Sequence, residues 1–423
     1  MDSASPQNPP VLPPDQLRAA RRLFIASAWA FVLAAALGAL FRFGIVRADF
    51  GPLQAGDLRH AHSHLMLMGW ATPALIALIT ARAPALGLQL PLRATLATGW
   101  GAWALALLST PAFALYGYRA AAIGEAKIPI AAALSGLAMG VWYVFAALVW
   151  RALWRARAAG TGHPALRIFS VATLALVVSS AGAWALAAQM ITGRGTVLSQ
   201  QLAVHFFVDL FGIGWLLGGA LALLRAELPA TPRPFERGAL GLLAAGAPLL
   251  FLAGMPPAAL PPLVRVIGHL AAALSAAGLI ALAAPMGRPL PPVLRSPLAL
   301  LLLSATMLAA LASPPVAAWG QVNGLRLLFL HVAFAGALTL TLITLATRRG
   351  LAPAASPRLW GQAMAALLLT LVPLTGAWPS FIPGGWETRA ALAGALIALA
   401  LSAGATFHAT FLARSPRPSR GPA

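Results

Sequence analysis

Apolar runs of about 18 to 25 residues recur along the chain, separated by short segments rich in Pro, Gly and Arg, and this pattern predicts helices that cross a membrane. The runs lie at 23–43, 60–80, 92–116, 128–150, 168–189, 202–224, 238–254, 262–284, 296–313, 324–346, 359–376 and 390–412. The expected architecture is an all-α polytopic bundle of twelve spans, one domain from 18 to 412. Tails at 1–17 and 413–423, rich in Pro, Ala and Arg, are expected to be disordered and cytoplasmic. The first run is too long for a signal segment and no convincing cleavage site follows it, so it is expected to be retained.

Basic residues give an independent check, because one miscounted span would scramble their alternation between the two sides. With both ends placed on one side, that side collects roughly two thirds of the 29 Lys and Arg residues, as the positive-inside rule requires of the cytoplasmic face. Composition then removes other classes. At 60% hydrophobic and 9% charged, with a mean hydropathy of +0.82, the chain cannot fold as a water-soluble globule. Its excess of cations over 9 acids orients short loops and does not form a nucleic-acid surface. Cys is absent, which excludes disulfides, thiolate metal sites and iron–sulfur clusters and leaves His, carboxylate or Met as metal ligands. The expected location is a bacterial inner membrane, with lipid as the surrounding partner.

The histidines carry the functional signal. Six of the 8 fall in the outer part of predicted spans: His60, His62 and His64 on the second, His205 on the sixth, His269 on the eighth and His331 on the tenth. His163 falls in a cytoplasmic loop and His408 near the inner end of the last span, and neither is assigned a role. One intramembrane His is an ordinary hydrogen-bonding residue. Six at one depth point to a metal or haem site, because ionisable groups in lipid are costly. Proton relay and interfacial hydrogen bonding are the competing readings.

Asp209, alone among the acids, falls inside a predicted span, four residues after His205 in His205-Phe-Phe-Val-Asp209. That spacing puts imidazole and carboxylate on one helical face, to share a metal or to form a structural pair. On the second span His60 and His64 share a face while His62 points roughly opposite. All three could converge on one metal only if the first turn were unwound, and Gly56-Asp57 is where such unwinding is expected.

These segments resemble the main subunit of the haem–copper oxidase superfamily, particularly its nitric oxide reductase branch. The likeness covers the twelve-span plan and three short motifs. His64-Leu-Met-Leu-Met-Gly resembles the family's helix two around a low-spin haem ligand. His205-Phe-Phe-Val-Asp209 resembles the reductase helix six, whose His and acid bind a non-haem metal, and His331-Val-Ala-Phe-Ala-Gly-Ala resembles helix ten around the second low-spin ligand. The resemblance implies a low-spin haem, b-type, held by His64 and His331, with His60 as the other helix-two candidate. It also implies a remnant or remodelled copper or non-haem iron site from His205 and Asp209, joined by His269, His60 or His62. Arg59, Arg265 and Arg326 precede these histidines closely enough to meet haem propionates.

Departures from the family are specific. Phe329 stands where helix ten of the family carries the high-spin haem ligand, and 238–254 lacks the His pair of helix seven. The complete oxygen- or nitric-oxide-reducing centre is therefore not expected. Nor does any Asp, Glu or Lys in the inner halves of the spans offer a proton path. A looser likeness, over His60-Ala-His62-Ser-His64-Leu-Met-Leu-Met-Gly, is to the twelve-helix haem- and copper-containing membrane proteins of nitric oxide stress. The expected function is a membrane redox protein passing electrons, or handling a diatomic gas or copper, with a redox donor or another respiratory subunit as partner. If it is an enzyme, it is an oxidase- or nitric-oxide-reductase-like oxidoreductase. The alternatives are a twelve-helix metal or haem transporter and a cofactor-free accessory or assembly protein.

Overall fold

A computed structural model describes residues 12–376, 378, 379, 381 and 384–411. The chain is an all-α polytopic membrane protein. Among the described residues, ten helices are long and apolar enough to cross a bilayer: α1 (Pro14–Arg47), α2 (Ala55–Arg82), α4 (Ile130–Ala158), α5 (Ala165–Thr192), α6 (Val197–Arg225), α7 (Glu236–Gly254), α8 (Pro262–Met286), α9 (Pro292–Ala310), α10 (Leu325–Arg348) and α12 (Glu387–Phe411). The helices α3 (Leu92–Tyr116) and α11 (Ser356–Leu371) fill the third and eleventh expected runs but are not among those ten.

Three expected helix starts move toward the N-terminus. The first helix begins at Pro14, inside the stretch expected as a tail, because Pro at the first helical position costs no hydrogen bond. Only residues 12 and 13 of that tail are described outside the helix, and 413–423 lies outside the described residues. Helix α2 starts at Ala55 and α6 at Val197, so His60 to His64 and His205 sit a turn or more deeper than the apolar runs suggest. Thr196 sets the start of α6 through a reciprocal cap: its Oγ1 accepts from Ser199 N at 3.1 Å, and Thr196 N donates to Ser199 Oγ at 2.9 Å. The connection after α3 holds the antiparallel hairpin Ala121–Ile123 with Ala126–Ile128, and the short helix Pro314–Val322 precedes α10.

Three helices depart from α geometry in the same way. A π-turn runs over Leu65–Ala71 in α2, Leu210–Leu217 in α6 and His331–Leu338 in α10. Gly56-Asp57, by contrast, lies in regular helix. The three turns align on Gly69, Gly214 and Gly336, each preceded five positions earlier by a polar residue: His64, Asp209 and His331.

Side-chain bonds join the turns. Thr72 Oγ1 donates to the i−5 carbonyl of Leu67 at 3.0 Å and accepts from Trp215 Nε1 of α6 at 3.3 Å. Thr339 Oγ1 donates to Phe334 O at 2.9 Å and accepts from Trp70 Nε1 of α2 at 3.1 Å. A π-turn displaces carbonyls from their i+4 donors, and these hydroxyls satisfy two of them where no water is present. The third link takes another form, since Ala337 and Leu217 occupy the corresponding Trp and Thr positions. There the Phe334 ring rests on Gly212, where an added Cβ would lie 2.3 Å from the ring.

At the C-terminal ends of these helices Glu227, just past α6, pairs with Arg349, with Arg348 at 3.2 Å and with Arg82 of α2 at 3.6 Å. The same three helices are thereby fastened at one end by charge and at mid-depth by the Trp–Thr bonds.

Candidate functional site

A cavity of about 550 Å3 opens among the N-terminal halves of α2, α6 and α10 and the helices beside them. Its walls come from α1, α2, α10, α11 and α12 on one flank and from α2, α4, α5 and α6 on the other, with Tyr118 from the loop after α3. His60, His62, His64, His205, His331, Arg59 and Arg326 all line it. Arg42 of α1 lines it too, and no apolar-run analysis would single it out from a helix end. His269 and Arg265 do not; His269 Nδ1 lies 2.7 Å from Leu311 O and spans α8 to the end of α9.

The three histidines of α2 part company. His62 faces α1: its Nδ1 donates to Ala34 O at 2.7 Å, and its ring lies so close to Gly38 that an added Cβ there would approach Cε1 to 3.0 Å. His60 and His64 both meet Tyr118, at ring-centroid distances of 4.9 and 6.3 Å. His64 lies flat on Phe113 at 4.0 Å, its Nε2 is 3.2 Å from Tyr118 Oη, and its buried Nδ1 has no partner. Across the cavity, His331 Nδ1 donates to Leu327 O, one turn earlier, at 2.8 Å.

His62 and His331 therefore share one arrangement. Each spends Nδ1–H on a backbone carbonyl, which fixes the ring and leaves Nε2 as the free donor atom, with no other hydrogen bond among the described residues. That is the second-shell pattern of metal-bound imidazole. His64 is arranged differently, its Nε2 committed to Tyr118.

The surroundings fit a flat macrocycle. Gly38 and Ala35 of α1 and the aligned Ala391, Ala395 and Ala398 of α12 make a smooth wall beside these histidines, with Phe31 and Phe334 also on the cavity. Arg42 and Arg59 line the same space and can meet carboxylates.

On α6, Asp209 is 5% exposed and accepts from Arg326 Nη2 of α10 at 2.8 Å. His205 Nδ1 is 4.0 Å from Asp209 Oδ2, too long for a hydrogen bond, and is buried without a partner. Gly254 lets the backbone of α7 close over both groups, since a Cβ there would lie 2.7 Å from Arg326 Nη1 and 3.0 Å from His205 Nδ1. The metal set expected from His205, Asp209, His269 and His62 is not brought together. His62 turns to α1, His269 to α9, and Asp209 is occupied by Arg326. Among the described residues no three of His, Asp and Glu cluster closely enough to hold a metal ion.

Helices α7, α8 and α9 contribute no wall to the cavity. Glycines close α7 onto α8: Cβ atoms at Gly246, Gly268 and Gly278 would fall 2.6, 2.8 and 2.7 Å from backbone atoms of the partner helix. No protein-family model matches the sequence, and no curated protein is significantly similar to it.

Tyr118 and Arg42 are the site residues that sequence reasoning missed. Tyr118 lies outside the apolar runs, and its place over the cavity depends on the ion pair of Arg119 with Asp57, at 2.5 Å, and on Gly117 beneath. Gly117 has φ +57, and a Cβ there would meet Asp57 Oδ1 at 2.1 Å. Burial pushes the Tyr118 phenol up to about 12, so it stays a hydrogen-bond donor.

Proposed function

We propose that this protein is a haem-binding redox protein of the bacterial inner membrane, a twelve-span bundle of haem–copper oxidase type with both termini cytoplasmic and without the family's complete reducing centre. The observation that carries the reading is the matched anchoring of His62 and His331: two imidazoles from α2 and α10, on one apolar cavity, each fixed through Nδ1 with Nε2 free. These two are the residues that would hold the haem iron. The sequence motif favours His64 in place of His62, but the commitment of His64 to Tyr118 and Phe113 supports moving that role two residues back.

A haem bound by two imidazoles supplies one-electron transfer and has no open site for a gas. Ala34 O and Leu327 O hold the two rings, Gly38 and the alanines of α12 would leave room beside them for a flat group, and Arg42 and Arg59 would be the partners for its carboxylates. Arg326, assigned to a propionate from sequence, is engaged by Asp209.

The test is an absorption spectrum of the purified protein with pyridine haemochrome and metal analysis. Low-spin b-type bands at one haem per chain are expected. Protein that carries no haem after expression with haem supplied overturns the reading.

A further inference from the structure

At the C-terminal ends of α2, α6 and α10 the charges do not balance. Arg82, Arg348 and Arg349 all meet the one carboxylate of Glu227, whose side chain is 4% exposed. Glu236, the next acid along the chain, is taken by Arg225, whose Nε donates to Glu236 Oε1 at 2.5 Å and whose other nitrogens donate to Pro229 O and Thr231 O, both at 2.8 Å. Three cations thus gather on one anion, a surplus of two charges. Guanidiniums drawn together in this way repel one another unless negative charge lies between them.

The donors are in surplus too. Arg348 spends Nε on Glu227 and Arg349 spends Nη2, and the remaining side-chain nitrogens of both make no hydrogen bond among the described residues. Arg82 Nη2 donates to Ala226 O, and Arg82 Nε is buried without a partner. Exposure rises from 13% at Arg82 to 27% at Arg349 and 38% at Arg348, so the corner opens outward. Gly350, at φ +71, turns the chain directly after Arg349, and a Cβ there would meet nothing within 4 Å, which leaves the approach clear. Snorkelling to bilayer headgroups accounts for basic residues on lipid-facing helices. It does not account for these, because α2, α6 and α10 are the three most buried of the ten spans.

We infer that this corner is a binding site for a phosphate group, its oxygens set against Arg348 and Arg349 with Arg82 behind them. The match is one of charge and shape: a phosphate ester carries up to two negative charges, equal to the surplus, and planar guanidiniums pair with its oxygens bidentately. The site lies at the opposite ends of these helices from the histidines and does not rest on the haem reading.

A soluble phosphate compound and a phospholipid headgroup present the same chemistry, and the experiment separates them. The detergent-purified full chain is titrated with inorganic phosphate, and separately with dioctanoyl phosphatidic acid below its micellar concentration, in chloride buffer of constant ionic strength. Heat of binding and melting temperature are followed. One saturable site is expected, weakened roughly tenfold by Arg348→Gln or Arg349→Gln and unaltered by Arg155→Gln, an exposed arginine at the end of α4. Glu227→Gln should melt lower in phosphate-free buffer and recover when phosphate is added, because the ligand then supplies the counter-charge. Saturation by inorganic phosphate assigns a soluble ligand, and saturation by phosphatidic acid alone assigns a headgroup. The inference is overturned if neither probe binds saturably, if Arg155→Gln weakens binding as much as the other two substitutions, or if phosphate leaves the melting temperature of Glu227→Gln unchanged.

Discussion

Arg326 of α10 donates to Asp209 of α6 at 2.8 Å, and the carboxylate it neutralises is the acid that most resembled a metal ligand. A guanidinium in that position gives Asp209 a structural partner and leaves His205 beside it without a hydrogen bond. Asp209→Asn should then destabilise the protein by about 1–3 kcal/mol, the range for a charge-assisted hydrogen bond. Thermal unfolding in detergent, run as a double-mutant cycle with Arg326→Gln, measures the coupling. Strict additivity of the two substitutions would show that the pair contributes nothing.

Axial ligation separates three neighbouring histidines. Alanine at His62 or at His331 should abolish the low-spin spectrum, whereas alanine at His64 should leave the bands in place and disturb only Tyr118. Loss of the spectrum in His64→Ala with retention in His62→Ala would return the role to the residue that the motif indicates.

His163, in the loop between α4 and α5, offers a pH test outside the spans. Its ring accepts from Ala165 N at 3.1 Å and donates to Leu228 O at 3.2 Å, and burial pushes its pKa below the usual 6.5. The unfolded chain thus binds the proton more tightly than the folded one. Stability from this group is full above about pH 6.5 and declines as the pH falls toward the folded pKa. His163→Gln should flatten the fall in melting temperature between pH 7.5 and 5; an unaltered slope would assign it to other groups.

Orientation can be read with reporter fusions. The hairpin loop containing Arg119 and Lys127 should report from the non-cytoplasmic side, and the loop at Arg155 and Arg157 from the cytoplasm. A cytoplasmic signal from the hairpin would invert the bundle and place the cavity on the inner face.

The hydrophobic pattern located the helices well because, in lipid, length and apolarity nearly determine a span. It placed helix starts poorly at α2 and α6, where polar first turns such as Gly56-Asp57 and Ser199-Gln200-Gln201 are helical. Residue type indicated His62, His64, His205 and His331. What it could not indicate was which ring nitrogen is free, since that depends on Ala34, Leu327 and Tyr118, residues whose identity says nothing of their partner. Arg326 was read as a propionate anchor because its distance from His331 along the chain was visible and its distance from Asp209 across the bundle was not.

The π-turns in α2, α6 and α10 act as phase shifters. Each turn takes in an extra residue, so side chains on its outer side are rotated by about 100° relative to a continuous α-helix carrying the same inner half. The C-terminal halves of these helices are locked by Thr72, Thr339 and Glu227, while the N-terminal halves carry His62, His64, Asp209 and His331. Two helical registers thus coexist in each rod, one serving cohesion and the other aiming the cavity side chains. Loss of one residue from any of the three turns would keep the span and its packing and swing that helix's polar groups out of the cavity, a change invisible to hydropathy and decisive for ligand binding.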